Sequence, residues 1–184
     1  MKKIILVLIA VISLILILNL SLFAQNEKAA NKSIYAELAG PGALISVNFD
    51  SRFFSDSQFG FGYRVGVGFD YGEYEHYYDE YDYENRTRYA YTIPVGLNYI
   101  FGKPNSPHAF EAGAGITFLP RKAEPLFFMN SDNGKASHIF SFFTFMYRRI
   151  PEDGGFSWRV GFTPIILTSG EPGILGTVSI GYVF

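Results

Sequence analysis

Residues 89–101 read Tyr89-Ala90-Tyr91-Thr92-Ile93-Pro94-Val95-Gly96-Leu97-Asn98-Tyr99-Ile100-Phe101. The odd positions are all aromatic or aliphatic. The even ones are small or polar, apart from Ile100. A period of two over thirteen residues marks a β-strand with two chemically different faces, because successive side chains point to opposite sides of the sheet. The same alternation recurs at 59–71, where Phe59, Phe61, Tyr63, Val65, Val67, Phe69 and Tyr71 oppose Gly60, Gly62, Arg64, Gly66, Gly68 and Asp70. It recurs at 108–118, where Phe110, Ala112, Ala114, Ile116 and Phe118 oppose Glu111, Gly113, Gly115 and Thr117.

Five further segments complete a set of eight strands. Residues 33–39 and 43–53 flank Gly40-Pro41-Gly42, a turn signal. Residues 137–149 carry phenylalanine on both faces and stop before Pro151-Glu152-Asp153-Gly154-Gly155. Residues 156–168 set Phe156, Trp158, Val160, Phe162 and Ile166 against Ser157, Arg159, Gly161 and Thr163. The last strand, 174–184, sets Ile174, Val178, Ile180, Tyr182 and Phe184 against Thr177, Ser179 and Gly181. Strands of about ten residues are long enough to cross a bilayer at a tilt.

Two observations orient the faces. Beyond the leader, lysine occurs only at 28, 32, 103, 122 and 135, before the first strand or between strands. A soluble barrel carries lysine along its wet exterior, whereas a lipid-facing lysine costs about 2–4 kcal/mol at the bilayer midplane. The interior of an eight-stranded barrel is also just wide enough to be filled by side chains. The glycine-rich face fits that space and the Phe/Tyr/Val face does not. The expected fold is therefore an all-β, eight-stranded, antiparallel up-and-down transmembrane β-barrel. Its inner face carries Glu37, Asp50, Asp70 and Glu111, with Arg52, Arg64, Arg148 and Arg159 as counter-ions. Buried charges are paired for solvation reasons, so this set reads as a structural network in a filled lumen and not as an ion path.

The 184 residues hold one domain behind a leader. Lys2 and Lys3 precede an apolar run from Ile4 to Leu18, and Ala24 precedes Gln25, the layout of a secretory signal peptide over 1–24. A short periplasmic segment, 25–32, would lead into the barrel at 33–184. Loss of the leader moves the net charge from −2 to −4, which argues against a nucleic-acid partner. With no cysteine there is no disulfide, thiolate metal site or cysteine nucleophile. With 19 Phe, 13 Tyr and 1 Trp the chain is too aromatic for a disordered coil.

With both ends in the periplasm, the inner turns fall at 54–58, 102–107 and 150–155, and the outer loops at 40–42, 72–87, 120–136 and 169–173. The tract from Tyr74 through Glu75, Tyr77, Tyr78, Asp79, Glu80, Tyr81 and Asp82 lies in one of the longest outer loops. It lacks the Asp-x-Asp-x-Asp-Gly spacing of a calcium loop, and tyrosine-rich loops suit adaptable protein or glycan contacts. It therefore reads as a solvated loop, with contact to an extracellular protein or glycan ligand as the alternative. His138 and Ser141 invite comparison with a hydrolase pair, but three residues apart on a strand they point to opposite faces. No catalytic, metal or cofactor residues are expected.

The final Ser179-Ile180-Gly181-Tyr182-Val183-Phe184, with aromatic Tyr182 and terminal Phe184, resembles the strand read by outer-membrane assembly machinery. Ser33-Ile34-Tyr35-Ala36-Glu37-Leu38 and Gly155-Phe156-Ser157-Trp158-Arg159-Val160-Gly161-Phe162-Thr163-Pro164 resemble small outer-membrane β-barrel proteins of Bacteroidota, with the eight-stranded OmpA/OmpX-type architecture. The resemblance covers nearly all of 33–184. It adds fold and location only, a barrel in a bacterial outer membrane; the expected state is a monomer, and the expected partners are membrane lipid, lipopolysaccharide and the assembly machinery. It brings no catalytic motif and no cofactor. The competing readings are a lipid-modifying outer-membrane enzyme and a soluble, lipocalin-like periplasmic carrier.

Overall fold

The computed structural model describes residues 29–79, 82–123, 137–168, 170 and 172–184, with side chains outside 72–88 and 121–137. The expected signal peptide, the start of the 25–32 segment and most of the 120–136 connection lie outside these residues. The chain runs through β1 (Lys32–Gly40), β2 (Ala43–Arg52), β3 (Gly60–Asp79), β4 (Asp82–Gly102), β5 (His108–Ala123), β6 (Ser137–Arg149), β7 (Gly155–Leu167) and β8 (Pro172–Val183). Each strand pairs antiparallel with the next, and β1 pairs with β8, closing an eight-stranded all-β barrel. Closure leaves no sheet edge around the wall, the usual solution for a sheet with one apolar face. The seam is sealed by reciprocal backbone bonds between Lys32 and Phe184, 2.9 and 2.8 Å long.

The facing follows the period of two. Val65, Val67, Tyr91, Ile93, Val95, Leu97, Phe110, Val160, Phe162, Val178 and Ile180 are exposed on the outer surface. Glu37, Asp50, Arg64, Asn98, Glu111, Thr117, Thr144, Arg148, Arg159 and Ser179 are buried on the inner one. The exposed belt is bounded near the end where Lys32 meets Phe184, the terminal end of the barrel wall, by ring contacts such as Phe61–Tyr99, Tyr99–Phe101, Phe110–Tyr147 and Tyr147–Trp158. Toward the opposite, distal end it is bounded by Phe69, Tyr71, Tyr89 and Tyr91.

Inner glycines leave room that neighbours occupy. A Cβ on Gly62 would collide with the Arg52 guanidinium, one on Gly66 with the Asn48 amide, and one on Gly96 or Gly115 with the Phe142 ring. Gly96 and Gly115 face each other across β4 and β5, and Gly115 stands opposite Phe142 on β6. One aromatic ring thus lies over two vacated positions, as close packing requires.

Four features differ from the sequence expectation. The 72–87 segment is not an irregular loop: β3 and β4 stay paired from Gly72↔Arg88 to Asp79↔Asp82, with one irregularity near Tyr77. β3 last pairs with β2 at Phe69, and β4 first pairs with β5 at Ile93, so a two-stranded ribbon rises beyond the wall. Ten residues of strand, 70–79, span roughly 30 Å. β5 likewise runs to Ala123, past the expected end at 118.

Second, the 40–42 turn does not sit as a loop outside the mouth. Gly40, Pro41, Gly42 and Ala43 are all buried. The carbonyls of Ala39, Pro41 and Gly42 accept bonds from the hydroxyls of Thr177 on β8 (2.7 Å), Thr117 on β5 (2.7 Å) and Thr92 on β4 (2.8 Å). These donors come from separate parts of the wall, so the turn folds inward across the distal bore. Ala39 (φ 51°) and Ala43 (φ 72°) take left-handed backbone to make the bend, a strain the surrounding contacts must hold.

Third, the inner face is not uniformly small or ionic. Phe140 and Phe142 point inward and pack with Ala43, Leu119 and Ile165 under the turn. The two-faced phenylalanine pattern of 137–149 is explained by this cluster, with Phe143 and Phe145 on the exposed side.

Fourth, Phe59 is not on the outer belt. Gly60 at φ 92° redirects the chain before the strand begins, and Phe59 packs against a buried cluster of Ile100, Ala109, Ile150 and Val183 at the terminal end. That cluster also accounts for Ile100 breaking the alternation.

Candidate functional site

Between the two apolar clusters lies a layer of charge. Its charged members arrive from inward positions on β1, β2, β3, β5, β6 and β7, with Asp50 and Arg52 both supplied by β2. Arg64 on β3 donates to Glu37 on β1 at 2.7 Å and to the Asn48 side-chain oxygen at 3.0 Å. Arg159 on β7 donates to Glu37 and to Glu111, both at 3.3 Å, joining carboxylates from β1 and β5. Arg148 on β6 donates to Glu111 at 2.7 Å and reaches Asp50 at 3.5 Å. Arg52 is hydrogen-bonded to Asp50 and donates to Asn98 at 2.7 Å. Asn98 in turn donates to Asp50 at 2.8 Å and to Glu111 at 3.0 Å.

Seven of the eight charged residues named from the sequence are thereby connected. The eighth, Asp70, is also buried but lies six residues beyond Arg64 on β3, roughly 20 Å further along the strand. Alternation places a residue on a face; it does not give its height in the barrel.

Members of the layer that the charge pattern alone did not single out are Asn48, Asn98, Ser46, Ser179 and Tyr35. Asn48 bridges Arg64 to the Ser46 hydroxyl, 2.8 Å away, and Arg159 donates through Nε to Ser179 at 3.1 Å. The Arg159 guanidinium lies over the Tyr35 ring, 3.4 Å from its centroid, and Arg64 stands 5.6 Å from the same ring. Cations over an aromatic face are stabilised by its quadrupole, more so when desolvated. The available signal was parity: Tyr35 shares a face with Glu37, and Asn98 with Gly96.

This layer supplies neither an open nucleophile nor an acid–base pair. Every carboxylate in the connected set accepts from at least one guanidinium, and two cavities beside it, among the described residues, are each about 10 Å³. A small-molecule pocket spans about 300–1,000 Å³. A larger hollow of about 220 Å³ lies outside the bore at the terminal end, among the turns carrying Ser57, Gln58, Asn105 and Glu152.

The other residues singled out from the sequence are dispersed. His138 donates through Nδ1 to the Leu119 carbonyl at 3.1 Å, and Ser141 sits on the opposite face of β6. The side chains of Tyr74, Glu75, Tyr77, Tyr78, Asp79, Glu80, Tyr81 and Asp82 lie outside the described residues, although the β3–β4 backbone ladder passes through that tract. Tyr182 is exposed on the outer face of β8, and Phe184 pairs with Lys32 at the seam.

No family model matches the chain, and no curated protein matches it by sequence. Two solved structures share its fold. One is the N-terminal β-barrel domain of Pseudomonas aeruginosa OprF, with a TM-score of 0.51 and 15% identity, covering 86% of this chain and 100% of that one. The other is the Yersinia pestis outer membrane protein Ail in a phospholipid bilayer nanodisc, with a TM-score of 0.50 and 12% identity, again over 86% and 100%. The chain has the fold of eight-stranded outer-membrane barrels.

Proposed function

We infer that this protein is an integral barrel of a bacterial outer membrane with a filled lumen and no open pore, acting as a structural or surface-interaction component. The observation that carries this reading is the exposed belt. Phe61, Tyr63, Val65, Val67 and Tyr71 on one strand are 39–64% exposed, and the pattern continues through β4, β5, β7 and β8. From Phe61 to Tyr71 is roughly 33 Å of strand, or about 25 Å in height at the usual tilt, the height of a lipid-facing band between aromatic girdles. In water such a surface would far exceed the apolar patch a soluble monomer tolerates.

The absence of a pore rests on what occupies the bore: an apolar cluster at each end, the charged layer between them, and the 40–42 turn held by three threonines. The orientation follows from the ribbon. With the termini in the periplasm, the β3–β4 hairpin projects outward, and its acidic, tyrosine-rich tract becomes the surface that meets an extracellular protein, a glycan or lipopolysaccharide. Tyr182 and Phe184 fit the end that assembly machinery would read. The finer placement among the small barrels of Bacteroidota rests on the sequence resemblance.

Fractionation tests the reading. The protein should resist osmotic shock and carbonate and come out only with detergent, as a monomer with heat-modifiable migration. Recovery in the shock fluid would favour the carrier. An altered lipid A profile in a deletion strain would favour the enzyme.

A further inference from the structure

The charged layer is not self-sufficient. Ser33 Oγ, Tyr35 OH and Arg148 Nε are buried without a hydrogen-bond partner. All three residues line the same cavity of about 10 Å³, together with Ser179 and Arg159. Leaving a buried polar group unsatisfied costs about 1–3 kcal/mol, and more beside charge. A void of this size has room for one guest of roughly water dimensions.

The chemistry of the lining narrows the guest. Arg148 Nε–H can only donate, and the hydroxyls of Ser33 and Tyr35 are free to donate. Ser179 Oγ already accepts from Arg159, so its own proton is available too. The ion pairs nearby join four guanidinium groups, Arg52, Arg64, Arg148 and Arg159, to three carboxylates, Glu37, Asp50 and Glu111. Convergent donors beside a local excess of positive charge favour an anion over a neutral guest.

We propose that this cavity is a binding site for one monatomic anion of halide size, held by Ser33, Tyr35 and Arg148. The ion completes the charge of the layer and is a fixed part of the folded barrel. It also explains why Tyr35, and not a phenylalanine, lies under Arg159: the ring takes the cation while the hydroxyl takes the anion.

The test uses the whole barrel refolded in detergent. Crystals grown in sodium bromide should show an anomalous difference peak between Ser33, Tyr35 and Arg148. In solution, each tenfold rise in bromide above its dissociation constant should raise the thermal midpoint by roughly 3–5 °C. Tyr35→Phe keeps the ring beneath Arg159 and removes only the hydroxyl, and Ser33→Ala is milder still. Both should fold and lose most of that slope, and comparison with wild type cancels general salt effects. A cavity with water density and no anomalous peak overturns the proposal. So does a bromide slope that is the same in wild type and in both variants.

Discussion

Arg64 Nη2 on β3 donates to Glu37 Oε1 on β1 at 2.7 Å, so a charged bond passes inside the intervening strand β2 and ties together two strands that share no backbone ladder. Buried pairs of this kind contribute little net stability relative to a well-packed apolar core, but losing one partner is costly. Glu37 serves both Arg64 and Arg159. Glu37→Leu should therefore lower unfolding stability by about 3–5 kcal/mol, measured by urea titration in detergent. A loss under about 1 kcal/mol would show that the cations find other acceptors at little cost.

The lipid-facing assignment predicts a strong asymmetry on β4. Val95 stands near mid-belt, 40% exposed. Val95→Lys should cost about 2–4 kcal/mol and reduce insertion into vesicles. Ser55→Lys, in an exposed turn at the terminal end, should be neutral. Equal yields of folded protein would contradict the orientation of the faces.

The Gly96–Phe142 contact can be probed by a double-mutant cycle. A Cβ on Gly96 would stand 2.9 Å from Phe142 Cζ and 2.8 Å from the Ala114 carbonyl. Gly96→Val should destabilise by about 1–3 kcal/mol through overpacking. Phe142→Leu in the same chain should recover part of that loss, giving a coupling of at least about 0.5 kcal/mol. Strict additivity would mean that the ring does not lie over the glycine.

Thr117→Val keeps the shape of the side chain and removes its bond to the Pro41 carbonyl. The expected cost is about 1–3 kcal/mol, because the carbonyl stays buried. Combining it with Thr92→Val and Thr177→Val should release the turn, read as faster amide exchange at Gly42 with the wall ladder still protected. Unchanged exchange would show that packing alone holds the turn.

Deleting residues 73–84 removes most of the ribbon and leaves a three-residue connection between Gly72 and Arg88. Heat-resistant folding should persist within about 1 kcal/mol, since the lost ladder lies beyond the pairings of β2 and β5. Capture of an extracellular protein or glycan by the intact barrel should disappear with it. Loss of heat-modifiable migration would mean that the ribbon packs back on the wall.

The strands, their antiparallel order and the two faces were legible in the sequence because a half-buried strand has to alternate. Wherever one face met lipid, as at 61–71 and 89–101, the period of two gave nearly every side chain its side. The ribbon beyond Phe69 was not legible as strand. A ladder in water is held by backbone bonds and needs no apolar face, so Glu73 to Glu84 alternate only in short runs such as Tyr81-Asp82-Tyr83-Glu84, broken by Tyr77-Tyr78 and Asp79-Glu80, and carry no continuous period. Phe140 and Phe142 gave an ambiguous pattern because residues distant in sequence make room for inward rings: Gly96 and Gly115 for Phe142, and Ala43, Leu119 and Ile165 around Phe140. The inward fold of Gly40-Pro41-Gly42 depends on hydroxyls from β4, β5 and β8, which no local signal records. Eight charges could be assigned to one face by parity. Their heights, and hence which carboxylate meets which guanidinium, required the strand stagger that only closure of the barrel sets.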